Sequence, residues 1–315
     1  MLRAVFPSGV SVSVSSSPSH APIGIFDSGV GGLSIWREIV RELPHESTVY
    51  VADQAHVPYG PRTQEQIRGF CDGIAEFLLR EGCKAIVVAC NTASAAALKH
   101  LRERFPHLPV LGLEPAVKPA ASLTRSGVIG VMATPATFQG RLYQATVGRH
   151  AAGVTVIARV CPGLAERVES GHLDDPETDR QLRDHVQPLL AAGADTIVLG
   201  CTHYPFVIEA IRRLAGPAVT VIDPAPAVAR HLRNVLTHHG LHRHAGEAIH
   251  RFFTTGPETP FNEVAGRLTG KAVTAENIRW NQGKLDAAGP ATAQGVVDAW
   301  PSQAMNPPLR RPGHM

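Results

Sequence analysis

The chain has 315 residues, enough for two domains of ordinary size, each with its own core. With 44% hydrophobic and 18% charged residues it has a soluble globular composition, and no apolar run reaches the roughly 18–20 residues that span a bilayer. The balance of 30 Lys+Arg against 27 Asp+Glu gives no electrostatic argument for nucleic acid or a membrane surface.

The opening "MLRAVFPSGVSVSVSSSPSH" is Ser-rich, has no acidic residue and lacks the continuous apolar segment of a secretory signal. Residues 1–21 are therefore expected as a disordered extension. "IGIF" (Ile23–Phe26) reads as a buried strand, and the next segment places Leu33, Trp36, Ile39, Val40 and Leu43 at helical spacing. "TVYVAD" (Thr48–Asp53) is the next strand. It leads through the Pro-Gly loop "HVPYGPRT" to a helix carrying Ile67, Phe70, Cys71, Ile74, Phe77 and Leu78 on one face, closed by Gly82. "AIVVA" (Ala85–Ala89) and "PVLGL" (Pro109–Leu113) are further strands. Near-continuous apolar strands alternating with helices predict α/β architecture with parallel sheets covered on both faces.

The second half repeats the first. Adding 111 to the numbering carries Gly82 to Gly193, Ile86 to Ile197, Cys90 to Cys201 and Val110 to Val221, while "IGI" at Ile23 meets "IGV" at Ile129 after a shift of 106. A duplicated unit predicts two pseudo-symmetric, doubly wound parallel-sheet domains with the site in the cleft between them. The first domain is expected over 22–114 plus 224–270 and the second over 115–223, with a Pro-rich disordered tail over 285–315.

Five cysteines at wide spacing (Cys71, Cys83, Cys90, Cys161, Cys201) are no disulfide framework and point to a reducing cytosol, hence a cytoplasmic protein. Cys71, Cys83 and Cys161 read as small buried hydrophobes. Cys90 and Cys201 stand at strand ends, each followed by a polar pair at an expected helix start, a setting that lowers a thiol pKa. Three chemistries could use them. Cys90, Cys201 and His203 supply three metal ligands, but without supporting spacing. A redox pair could close a disulfide. Two bases on opposite sides of one carbon would suit a racemase.

"FDSGVGGLS" (Phe26–Ser34) resembles the start of a dinucleotide loop, with Asp53 where a ribose-binding acid would stand. Against that, Ser34 replaces the third glycine and Asp27 would face the pyrophosphate. A turn whose free N–H groups take a carboxylate while Asp27 takes an ammonium fits an α-amino acid better. His238, His239, His242 and His244 read as a solvated helix end rather than a metal site.

"FDSGVGGLS", "VPYG", "ACNTAS", "CPGLAERVESG" and "LGCTHYP", in this order and spacing, resemble the bacterial glutamate racemases of the cofactor-independent aspartate/glutamate racemase superfamily. The resemblance runs from about Ile23 to Thr255. It implies two α/β domains with the site between them and interconversion of L- and D-glutamate for peptidoglycan, with neither cofactor nor metal. It implies Cys90 and Cys201 as proton donor and acceptor, assisted by Asp27 and His203, with Glu169 as an auxiliary acid. Asp27, Ser28, Tyr59, Gly60, Asn91, Thr92, Thr202 and His203 would bind substrate. "ADQAHVPYGPR" and "CPGLAERVE" depart from the usual pattern. The partner expected is the small molecule glutamate, with neither nucleic acid nor membrane, and the assembly entertained is a homodimer. Racemisation of aspartate or another acidic amino acid, and a metal- or redox-responsive binding protein, are the competing expectations.

Overall fold

The computed structural model describes residues 18–287. A seven-stranded sheet has the order β11-β10-β9-β2-β1-β3-β4. Its strands are β1 (Ile23–Asp27), β2 (Thr48–Ala52), β3 (Ala85–Val88), β4 (Val110–Leu111), β9 (His250–Thr254), β10 (Ala275–Asn281) and β11 (Lys284–Ala287). A four-stranded sheet has the order β6-β5-β7-β8, from β5 (Val128–Ala133), β6 (Thr155–Val160), β7 (Thr196–Leu199) and β8 (Thr220–Ile222). Every pairing is parallel except β10 with β11.

The two orders β2-β1-β3-β4 and β6-β5-β7-β8 are one topology used twice. The shift of 111 carries β3 onto β7 residue for residue. It also carries Gly82 to Gly193, where both backbones are left-handed (φ 77° and 84°) just past α2 (Gln64–Arg80) and α8 (Pro176–Ala191). A side chain at such a φ is strained, so glycine ends both helices. The strands β1, β2, β3 and β7 are buried along their whole length, which is why they read as apolar runs rather than alternations.

Helix α1 (Leu33–Glu42) buries Leu33, Trp36, Ile39 and Val40 as its spacing predicts, and packs on α10 (Ala225–His238). On α2 the same face is buried except Phe70, which is half-buried and stacks on His56 with centroids 3.8 Å apart. The four clustered histidines lie at the end of α10 and in the following loop, with His238, His239 and His244 exposed.

Both tail boundaries move outward. Pro18–His20 form a short 3-10 turn, and the Ser19 carbonyl accepts a hydrogen bond from Lys84 Nζ at 2.6 Å, because a buried ammonium must fill its three donor positions. At the other end Lys284–Ala287 form β11, which adds to the first sheet beyond the expected limit of 270. The expected disorder of 1–17 and 288–315 falls outside the described residues. Among the described residues no helix is long and apolar enough to cross a membrane.

Candidate active site

A cavity of about 100 Å³ lies where the carboxyl ends of both sheets face each other. At roughly 10–15 Å³ per water position it has room for a small molecule rather than a dinucleotide. Ser28, Tyr59, Gly60, Cys90, Asn91 and Thr92 line it from the first sheet's loops; Glu169, Cys201, Thr202 and His203 line it from the second's. Asp27, at the end of β1, is fully buried beside them. All the residues singled out by motif therefore come together.

Sequence reading missed Val57, Pro58, Thr134, Ala165 and Glu166 in the lining. Thr134 had a signal: the shift of 106 that pairs Ile23 with Ile129 also pairs Ser28 with Thr134, each the first residue after its strand. Thr134 Oγ1 lies 3.0 Å from Thr92 Oγ1, so this hydroxyl pair links the two halves across the cavity. Asn91 has both side-chain polar atoms buried and without a protein partner, the signature of a group kept for a polar ligand.

The two thiols differ in their surroundings. Cys90 caps the start of α3 (Asn91–Arg104), its sulfur accepting from Ala93 N at 3.4 Å. The expectation that this setting favours a thiolate is overturned: burial first, and the Asp27 charge second, push the Cys90 thiol well above its ordinary value, outweighing the Ala93 bond. Cys201 is not at an α-helix start at all. A turn and the 3-10 segment Tyr204–Val207 separate it from α9 (Ile208–Ala215). In place of a helix end it has His203, whose Nδ1 lies 3.5 Å from the sulfur.

His203 Nε2 donates to Glu169 Oε1 at 2.6 Å. Burial works against its charge, but Cys201 and Glu169 on either side hold the imidazole well above the usual histidine value. Glu169, at the end of α7 (Leu164–Glu169), is held below the usual carboxylate range: burial opposes this, and the His203 contact, Gln54 and Val30 N together prevail. Burial raises Asp27, with His203 opposing and Glu169 reinforcing the shift.

Three N–H groups of the turn after β1 are already taken by protein carboxylates. Gly29 N and Gly32 N both donate to Asp27 Oδ2 at 3.1 Å, and Val30 N donates to Glu169 Oε1 at 2.8 Å. It is an anion-binding turn as the sequence suggests, but its anions are Asp27 and the second half's own carboxylate. Asp27 Oδ1 is buried and has no hydrogen-bond partner among the described residues.

Each oxygen of Asp53 is occupied by two protein donors, which leaves little room for a ribose hydroxyl. All five cysteines are free thiols. Among the described residues, the groups close enough to share a cation are Asp27, Glu169 and His203, within 4.8 Å of one another.

The profile of the Asp/Glu/hydantoin racemase family matches residues 23–232, and the chain belongs to that family. Within it the likeness is to glutamate racemases. The one from Roseiflexus sp. (strain RS-1) is 53% identical over 255 residues, 80% of this chain and 94% of the relative. A glutamate racemase structure from Bacillus anthracis superposes with a TM-score of 0.78 at 37% identity, covering 84% of this chain and 99% of that one. One from Francisella tularensis, in complex with D-glutamate, gives 0.73 at 28% identity, covering 84% and 98%.

Proposed function

We infer that this chain is a glutamate racemase that moves the α-proton between two cysteines, Cys90 and Cys201, without a cofactor, and supplies D-glutamate for peptidoglycan in the cytoplasm. The carrying observation is two thiols at equivalent strand ends of a duplicated fold, lining one cavity from opposite halves. A racemase needs that arrangement because a proton must leave one face of Cα and another must arrive on the opposite face.

In each turnover one cysteine is thiolate and the other thiol. The thiolate removes the α-proton and becomes S–H. The electron pair left on Cα spreads into the carboxylate, where Ser28, Asn91, Thr92 and Thr202 are the donors available to stabilise it. The second S–H then delivers its proton from the other side and becomes thiolate. No atom is lost, and the enzyme ends with the two sulfurs in exchanged states.

Each sulfur has its own assistant. Asp27, raised by burial, is the acceptor beside the Cys90 proton; His203, hydrogen-bonded to Glu169, faces Cys201. With each sulfur about 3–3.5 Å from Cα, the pair should stand about 7 Å apart around bound substrate. The division proposed is into lobes 22–114 plus 224–270 and 115–223, a reading supported by the strand content of the two sheets, with β10 and β11 extending the first. A homodimer is the assembly proposed, read by sedimentation.

The test is racemisation of L- and D-glutamate, followed by circular dichroism on purified protein with no cofactor added. Cys90→Ser and Cys201→Ser are each expected to lose at least about a thousandfold in racemisation. Each should still exchange the α-proton of one enantiomer with solvent deuterium, and opposite enantiomers for the two variants. Full racemisation by either variant would refute the pair.

A further inference from the structure

Asp53 is fully buried at the end of β2, and four donors from three stretches of chain converge on its carboxyl group. Tyr59 OH donates to Oδ2 at 2.7 Å, and His56 Nδ1 lies 2.9 Å from the same oxygen. Trp280 Nε1 donates to Oδ1 at 2.7 Å and Thr255 Oγ1 donates to it at 2.9 Å. A carboxylate has about four acceptor sites on two oxygens, and here all four are filled. Among the described residues no lysine or arginine takes part.

The arrangement has an outer and an inner side. On the inner side, Tyr59 and Gly60 line the cavity. On the outer side, Thr255 follows β9 and Trp280 belongs to the β10–β11 hairpin, both beyond residue 232 where the family profile ends. The hairpin is seated firmly: a Cβ at Gly73 of α2 would come within 2.5 Å of the Trp280 ring. His56 fills the space between, stacked on Phe70 and edge-on to Trp280 with centroids 5.3 Å apart. Thr255 also reaches the loop directly, its Oγ1 accepting from Ala55 N at 2.9 Å.

We propose that Asp53 is a positioning residue for the substrate-binding wall, and that Thr255 after β9 and Trp280 of the β10–β11 hairpin support the active site by holding Asp53, and through it the Tyr59–Gly60 loop, in register with the cavity. The loop following β2 has no regular structure before Thr63. Its substrate-facing groups are therefore only as well placed as the anchor behind them, and a misplacement of about 1 Å is enough to cost a large factor. Both cysteines sit on other loops. A loosened anchor weakens substrate binding while leaving the proton-transfer pair in place.

The proposal rests on the racemase reading, and the experiment separates the two. Trp280→Phe keeps the ring against His56 and removes the N–H; Thr255→Val removes the hydroxyl, and Thr255→Ser retains it. Kinetics with both enantiomers should show KM raised about tenfold or more in Trp280→Phe and Thr255→Val, with kcat within about threefold of the parent. Thr255→Ser should match the parent. Asp53→Asn, which presents an NH2 group to two donors, should show the largest rise. The proposal is overturned if Trp280→Phe and Thr255→Val lower only the melting temperature with KM unchanged, or if kcat falls at constant KM. If the parent itself does not racemise glutamate, the functional reading fails. The anchor is then read from the stabilisation that added glutamate gives the same set of proteins, where equal stabilisation of all would overturn it.

Discussion

Glu169 and His203 meet at 2.6 Å with little side-chain exposure (14% and 6%), and their protonation links folding to pH. The His203 pKa is raised in the fold above its ordinary 6.5, so its contribution is complete below about 6.5 and is lost as pH rises through the folded value. That of Glu169 is depressed below its ordinary 4.5, so its contribution is complete above about 4.5 and is lost as pH falls through the folded value. The pair therefore stabilises most between roughly pH 4.5 and 6.5. Glu169→Gln is expected to cost about 3 kcal/mol in that window, and the difference from the parent should shrink toward both acid and alkali. Thermal unfolding of the two proteins across pH 3–10 is the check, and a difference independent of pH would refute the linkage. The motif "RVESG" placed Glu169 in the sequence. Its partner was beyond reach there, because His203 is 34 residues away on another element.

The turn between β1 and α1 shows how an element can be legible in kind while its protein neighbours are not. Its glycines and its capacity for anions were legible in "FDSGVGG". What the sequence could not supply is that the other half of the molecule sits on them. A Cβ at Gly29 would collide with the Glu169 carboxylate, and one at Gly31 would come within 2.5 Å of the His203 ring. Ser34 Oγ, one turn on, donates to the Thr202 carbonyl at 2.8 Å. The turn is thus the joint between the halves, and its glycines permit the approach. Gly31→Ala is expected to push His203 away from Cys201 and to reduce kcat by about a hundredfold, with a stability loss of only about 1–3 kcal/mol. Activity and denaturant unfolding measured on one preparation separate these effects; a variant with normal kcat would show that the joint tolerates opening. The same reasoning explains the misjudged thiols. A cysteine before a polar pair suggested a helix start, which holds for Cys90 and fails for Cys201, and burial at Cys90 outweighs the helix end.

Over the whole molecule, duplication was the most legible feature, since a shift of residue numbers survives wherever buried strands keep their length. It also locates the asymmetry. The positions equivalent to Asp27 and His203 in the other half are Ala133 and Thr92, so neither the carboxyl group nor the imidazole is duplicated. Hidden from the sequence was the fastening at the far, amino-terminal end of the first sheet. There Lys84, just before β3, donates to Glu46 Oε2 at 2.5 Å, to the Ser19 carbonyl and to the Leu241 carbonyl at 2.8 Å, while Arg243 N donates to Glu46 Oε1 at 2.8 Å. Side-chain exposure is only 3% for Lys84 and 1% for Glu46, so neither charge can fall back on water. Periodicity reveals nothing of this, because one lysine joins segments 65 and 157 residues away. A buried pair costs far more when halved than when replaced. Lys84→Met alone should therefore lower stability by about 3–5 kcal/mol, and Lys84→Met with Glu46→Leu should recover much of the loss. Since Lys84 lies at the opposite strand end from Cys90, KM and kcat for glutamate should stay near parental values in the double variant. Urea unfolding of the single and double variants, with kinetics on the folded proteins, decides it: equal losses in both would mean that the lost hydrogen bonds, rather than the stranded charge, set the cost.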